Sequence, residues 1–209
     1  MTAAATSALL VELPRRRNPE IIEVFVAAHQ SDASFARAFW GADVVAADSL
    51  RKLFRAAHAQ QITASAPLAV VESGAVVAVA NYVLPSGWGS LNPGDHLYAC
   101  WTYIGLLALP QGVRRRLRWY TRTAFRLLPY QPRCMIMQLA VAPSAQGRGH
   151  ARALLNAVQE RSRADLRSTG VAITTYSESN VSLYENLGFR VTGHARREST
   201  PVWALFAAH

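Results

Sequence analysis

The chain has 209 residues, 51% of them apolar, enough for one domain with a filled core, and it holds no repeat, low-complexity tract or long polar run of a disordered protein. Its formal charge of +9 rests almost wholly on arginine, Lys52 being the only lysine. The arginines are scattered apart from Arg15–Arg17 and Arg114–Arg116, so the excess reads as solvated faces, not as a nucleic-acid stripe, and would suit a ligand with several phosphates.

Cys100 and Cys134 lack metal-type spacing, so a reducing, cytoplasmic compartment and no metal site are expected. The charges at Arg15–Arg17 follow the short Ala/Leu run, the reverse of a secretory signal. The most apolar window, Leu97 to Pro110, is too short for a bilayer core of about 30 Å. No membrane or nucleic-acid partner is expected.

In chain order, residues 8–13 form a β-type run that Pro14 ends. Asn18-Pro19-Glu20 opens a helix whose apolar face includes Ile21, Ile22, Val24, Phe25 and Ala28. A second helix is predicted over Asp48 to Gln60 from the spacing of Leu50, Leu53, Phe54 and Ala57. Residues 68–72 and 75–83 flank Ser73-Gly74 as a hairpin, and the near-continuous apolarity of the second run puts it mid-sheet. Pro85 to Pro132 opens as a loop, continues as an apolar segment over Leu97 to Leu109, and after Pro110 forms an amphipathic helix over Val113 to Leu128. Its rings (Trp88, Tyr98, Trp101, Tyr103, Trp119, Tyr120 and Tyr130) suit either a pocket wall or helix packing. Cys134 to Val141, a helix from Gly149 to about Arg167, and Val171 to Thr175 make a βαβ unit with parallel strands. A short helix over Val181 to Leu187 follows, capped by Gly188. Residues 189–192 and 201–206 form a terminal hairpin across a polar loop, 193–200.

Within this order, Gln138 to Leu155 carries the chemistry: an apolar strand, a Pro143 break, a loop with Gly147 and Gly149, and a helix start. The glycines let the backbone approach a ligand closely, and the first helical turn offers free N–H groups and a positive dipole end. On these grounds alone an anion binds after a strand.

The spacing Gln146-x-x-Gly149-x-Ala151 is similar to the pyrophosphate-binding motif of the GNAT acyl-CoA N-acyltransferases. Asn180-x-x-x-Tyr184-Glu-Asn-Leu-Gly-Phe189 resembles the second hallmark of that superfamily. The short Asn180–Tyr184 spacing, the helical insert and Thr200-Pro-Val-Trp203 are similar to the puromycin-acetyltransferase branch. The match covers Ile136 to Phe206; the first 85 residues follow the family only in element order. Without the resemblance, the glycines are turn formers, Tyr184 and Phe189 are core residues, and Asn180 is a helix N-cap.

The resemblance implies an α/β (α+β) GNAT fold: a single domain over 1–209, a mixed central sheet of six to seven strands with flanking helices, and an insert at 86–131 as the acceptor-side wall. It implies acetyl-CoA as acyl donor, without a metal. The pyrophosphate would lie on the N–H groups of Gly147, Arg148, Gly149, His150 and Ala151, with Gln146 in the same loop and Arg148 able to add its charge. The pantetheine would pair with Leu139, Ala140 and Val141 at a splayed strand end, which requires a bulge. The Val141 N–H would face the thioester carbonyl, Tyr184 would protonate the leaving thiolate, and Asn180 would bond the pantetheine or the loop. The implied reaction is direct N-acetylation of a small-molecule amine, through a tetrahedral intermediate, by a monomer or homodimer, as in antibiotic-modifying relatives. A protein or peptide acceptor and a non-catalytic CoA sensor are the rival readings. Gln138 and Thr174 stand where relatives carry a catalytic Glu; Glu178, Asp95, His96 and Tyr176 are the remaining candidates for the base.

Overall fold

The computed structural model describes residues 8–14, 18–59, 66–87 and 106–209. Its strands are β1 (Leu9–Glu12), β2 (Leu68–Glu72), β3 (Ala75–Val83), β4 (Cys134–Val141), β5 (Gly170–Thr175), β6 (Arg190–Arg197) and β7 (Thr200–Ala208). They form one seven-stranded sheet in the order β1-β2-β3-β4-β5-β7-β6. Every neighbouring pair is antiparallel except β4–β5, which is parallel as the βαβ pattern requires.

The helices are α1 (Asn18–Gln30), α2 (Ala33–Phe35, continuing as a π turn over Ala36–Trp40), α3 (Ala47–Ala59), α4 (Gln111–Leu127), α5 (His150–Ala164) and α6 (Glu178–Glu185). They cover both sheet faces. On one face, Phe25 and Ile21 of α1 and Leu50 and Phe54 of α3 pack with Val79 and Ala140 of the sheet. On the other, Leu154, Leu155 and Val158 of α5 pack with Ala78, Ala80 and Ile136. Alternate residues of β3 thus serve opposite cores, which accounts for the unbroken apolar sequence of that strand. The β2–β3 turn places Ser73 and Gly74 at φ 50° and 82°, the left-handed pair of a tight hairpin.

Several boundaries differ from the sequence reading. Helix α5 stops at Ala164, short of Arg167, because the Asp165 carboxylate turns back to accept N–H bonds from Arg167 and Ser86. Helix α6 begins at Glu178 with Ser177 as its N-cap residue, so Asn180 sits in the first turn and is not the cap. The polar stretch 193–200 is not a loop: β6 runs through Arg197 and only Glu198 and Ser199 separate it from β7. Strand β6 is the sheet edge and mostly exposed, so it can carry Arg and His where a central strand could not. The α2 segment was not foreseen. Of the aromatic insert, residues 88–105, with Trp88, Tyr98, Trp101 and Tyr103, lie outside the described residues.

Gly170 opens β5 where the chain crosses tightly under β7: a Cβ there would run into the Ala207 carbonyl oxygen and the Phe206 ring. Gly170→Ala is expected to lower stability by about 1–3 kcal/mol, the usual cost of overpacking. Urea unfolding measures this, and an unchanged midpoint would mean that β7 yields freely.

Candidate active site

The site begins where two parallel strands part. The β4–β5 ladder pairs Cys134, Met135 and Ile136 with Val171, Ala172 and Ile173, and goes no further. On the other side of β4, Tyr82 pairs with Ile136 while Asn81 pairs with Gln138, leaving Met137 as an extra residue. This is the bulge that the splay requires, and it bends β4 away from β5. The Ala142 N–H donates to the Val77 carbonyl at 2.8 Å. By strand alternation, the N–H groups of Leu139 and Val141 face the opposite side, where β5 no longer runs. An extended ligand could pair with that edge.

Beyond β4, Pro143–Ala145 form a 3-10 turn and Gln146 leads into the glycine loop. Gly147 and Gly149 stand at φ 77° and 84°, conformations that a side chain would strain. Gly149 is the N-cap of α5 and has no side chain to occupy the free N–H groups of the first turn. Other side chains of the loop are committed to the protein. Arg148 donates to Glu72 Oε2 and to the Ser144 carbonyl, both at 2.9 Å. The buried His150 ring lies 3.0 Å from Glu72 Oε1. Gln146 donates to the Val141 carbonyl at 3.3 Å. Glu72, at the end of β2, therefore braces the loop from behind, and the groups left for an anion are backbone N–H. Ala151 is half-buried on the same helix turn.

The splay opens into a cavity of about 340 Å³, within the range of small-molecule sites. Met137, Gln138 and Leu139 line it from β4, Ile173 to Tyr176 from the β5 end, and Asn180 and Tyr184 from α6. The sequence-predicted Leu139, Asn180 and Tyr184 thus meet at one wall. The opposite wall is aromatic: Phe25 and His29 of α1, Phe35 and Phe39 of the α2 segment, and Phe54 of α3. Their rings interlock, with Phe35 5.0 Å from Phe39, 5.4 Å from Tyr176 and 4.6 Å from His29. Of the insert, Leu106, Leu117, Tyr120 and Thr121 reach the cavity, whereas Trp119 lines a separate cleft and Tyr130 is fully exposed. The sequence reading missed His29, Phe35 and Phe39. The i, i+4 spacing of Phe35 and Phe39 was their one local signal.

The phenols of the cavity are held protonated. Burial pushes Tyr184 well above the ordinary phenol value, so its proton is less readily given than in an exposed tyrosine. Tyr120, hydrogen-bonded to Thr174, is raised by burial too. Tyr176 donates to Asp32 Oδ2 at 2.6 Å, and burial, with that carboxylate beside it, raises it further. Asp32 Oδ1 in turn accepts the Phe35 N–H and caps α2. Asn180 donates weakly to Thr175 Oγ1 at 3.4 Å. Glu178 is exposed and does not line the cavity, while Asp95 and His96 lie outside the described residues.

A buried polar relay stands behind Gln138. Asn81 donates to Gln138 Oε1 at 2.7 Å and its amide nitrogen also meets His58 Nδ1 at 3.0 Å. Asn81 can only donate through that nitrogen, so His58 Nδ1 accepts and its proton sits on Nε2. The Gln138 oxygen being taken, its NH₂ is what remains for the cavity. Burial lowers the His58 pKa from 6.5 to about 4. Between those values the unfolded chain binds a proton that the folded chain refuses, so stability is full above pH 6.5 and falls as pH drops toward 4. The loss is expected to be on the order of 3 kcal/mol. Denaturant midpoints measured from pH 8 to pH 4 should show it, and His58→Gln should flatten much of the slope; a flat wild-type curve would mean that His58 is solvated.

Residues 112–191 match the sequence profile described as the acetyltransferase (GNAT) domain. No curated protein sequence matches significantly. Solved structures do. The crystal structure of histone acetyltransferase HPA2 and related acetyltransferase from Corynebacterium glutamicum is similar over 97% of each chain, at 21% identity and a TM-score of 0.62. The yncA protein of Salmonella typhimurium, solved with its cofactor acetyl-CoA, covers 97% of this chain and 94% of its own at 17% identity and a TM-score of 0.54. A mosquito arylalkylamine N-acetyltransferase like 5b covers 97% of this chain and 100% of its own at 13% identity and a TM-score of 0.57. The sheet order, the splay and the similar structures agree: the chain has the GNAT fold, and residues 112–191 of it match the acetyltransferase (GNAT) profile.

Proposed function

We propose that the chain transfers the acetyl group of acetyl-CoA to the amine of a small, hydrophobic or ring-bearing molecule. The observation that carries this reading is the parting of β4 from β5 directly into a cavity walled by aromatic rings. The donor supplies a thioester. The protein supplies an edge for its pantetheine at Leu139, Ala140 and Val141, and a bed for its pyrophosphate at the N–H groups of Gly147 to Ala151. Val141 N–H stabilises the charge that develops on the thioester oxygen, a contribution on the order of 3 kcal/mol in oxyanion holes. Tyr184 hands its proton to the departing sulfur, and Asn180 holds the pantetheine near it. Arg148 and His150, tied to Glu72, shape the loop through its backbone and contribute little direct charge.

Aromatic faces attract a cation as well as an apolar ring, which suits an alkylammonium carrying an aromatic or aliphatic body. Among the described residues no Asp or Glu lines the cavity, an apolar wall that favours a monoamine over a polycation. The similar mosquito structure is named for arylalkylamines, in keeping with such an acceptor. We extend the reading to a cytoplasmic, metal-independent enzyme, near the puromycin-acetyltransferase branch by the Asn180–Tyr184 spacing, and so to drug modification as one of its roles.

Tyr184→Phe is expected to lower kcat by about 10²-fold or more, as loss of a general acid does, with CoA affinity unchanged by calorimetry. Thiol release from acetyl-CoA across a panel of small amines and peptides tests the activity itself. Tight CoA binding with no turnover on any acceptor would favour a sensor over an enzyme.

A further inference from the structure

Among the described residues, His29 is the one imidazole that lines the cavity, and no Asp, Glu, Lys or Arg among them lines it. It belongs to the last turn of α1, and its ring packs edge-on to Phe35 at 4.6 Å and against Phe54 at 4.9 Å. Its Nδ1 lies 2.8 Å from the Phe25 carbonyl oxygen. A carbonyl only accepts, so Nδ1 carries the proton and the neutral ring keeps its lone pair on Nε2. That nitrogen has no hydrogen-bond partner among the described residues. The backbone contact therefore fixes both the tautomer and the ring orientation, an arrangement that readies a base.

The other polar groups of the cavity cannot serve as well. Gln138 and Thr174 do not accept a proton near neutrality. Tyr176 is a donor to Asp32, and Tyr120 and Tyr184 are buried phenols. Desolvation lowers the His29 pKa below the usual imidazole range, opposed by the Phe25 carbonyl and by the Asp32 charge, so the ring is neutral at pH 7. Among the described residues, the groups facing it are Asp32 from the α1–α2 corner and, across the cavity, the phenols of Tyr176, Tyr120 and Tyr184. Helix α3 brings Leu53, Phe54 and Ala57 to the cavity and no charge. Asp32 would also stabilise the imidazolium once formed.

We propose that His29 Nε2 is the proton acceptor for the incoming amine, directly or through one water; this rests on the acetyl-transfer reading above. The ammonium gives one proton to Nε2 and its nitrogen recovers a lone pair. The C–N bond then forms, the C–S bond breaks, and sulfur takes the electron pair and the Tyr184 proton. The second proton shed by the amide nitrogen returns to Tyr184, and His29 releases its own to water, one per acetyl transferred.

The test compares wild type with His29→Gln, using acetyl-CoA and 2-phenylethylamine with a panel of related amines, from pH 5.5 to 10. We expect kcat/KM at pH 7 to fall by about 10²-fold in the variant, in the range of general base catalysis. The deficit should shrink toward pH 10, where the free amine needs no base, and CoA affinity should not change. In ¹⁵N-histidine spectra of the CoA-bound wild type at pH 7, His29 should be neutral and protonated on Nδ1. A variant within threefold of wild type, or a deficit constant across pH, would overturn the inference while leaving acetyl transfer intact. Loss of CoA binding in the variant would assign His29 to packing, and an Nε2-protonated or cationic ring would overturn the role directly. A wild type that acetylates no amine would instead sink the acetyl-transfer reading, and this role with it.

Discussion

A single extra residue in one strand governs the rest of this structure. Met137 has no partner in the β3–β4 ladder, and from that point β4 leaves β5 after three paired residues. Inside a sheet, backbone N–H and C=O groups must be paired or reach water or a ligand. Breaking the ladder in the middle of the sheet therefore produces both an edge able to hydrogen-bond an extended molecule and a gap into which a cavity can open. Neither could exist had the two strands stayed in register. The bulge remains in place because β4 is pinned on its far side by β3, whose residues are buried in two separate cores.

The two sides of the gap follow different physics. The loop after β4 is a backbone device: left-handed glycines, an uncapped first turn, and side chains drawn back to Glu72 and to carbonyls. Such a surface recognises an anion by its charge and shape. The opposite wall is a side-chain device. Rings from α1, α2 and α3 interlock over the gap, and the Asp32 carboxylate beside them is satisfied by the Tyr176 hydroxyl and the Phe35 N–H. An apolar wall strengthens every polar interaction within it, so the polar atoms described there, among them the Gln138 NH₂, the Tyr184 OH and His29 Nε2, act in a low-dielectric setting.

Two histidines, His58 and His29, illustrate how tertiary contacts set a tautomer. His58 accepts from Asn81 and holds its proton on Nε2, whereas His29 donates to the Phe25 carbonyl and keeps Nε2 open. The two rings have the same intrinsic chemistry and are both made harder to protonate by burial. One ends as part of a relay that fixes the Gln138 amide, and the other as a wall of the cavity.

Much of this was legible in the sequence. The Ser73-Gly74 hairpin, the βαβ unit and the helices α1, α3 and α4 follow from local periodicity and turn chemistry, which act over a few residues. The glycine loop and the Asn180–Tyr184–Phe189 segment were legible because close backbone approach and a tight helix–strand turn constrain residue type at fixed spacing. What lay beyond the sequence was set by contacts distant along the chain. The strand character of 193–197 depends on being at an edge, and the end of α5 on the hydrogen bond that the Ser86 N–H donates to Asp165. The aromatic wall depends on α1 and α2 folding over β4 and β5, more than 100 residues away. By itself the sequence determined the glycine loop, since a turn built from its own backbone is a local object. Only the tertiary structure decided which side chains line the cavity, because a cavity belongs to whichever elements happen to surround it.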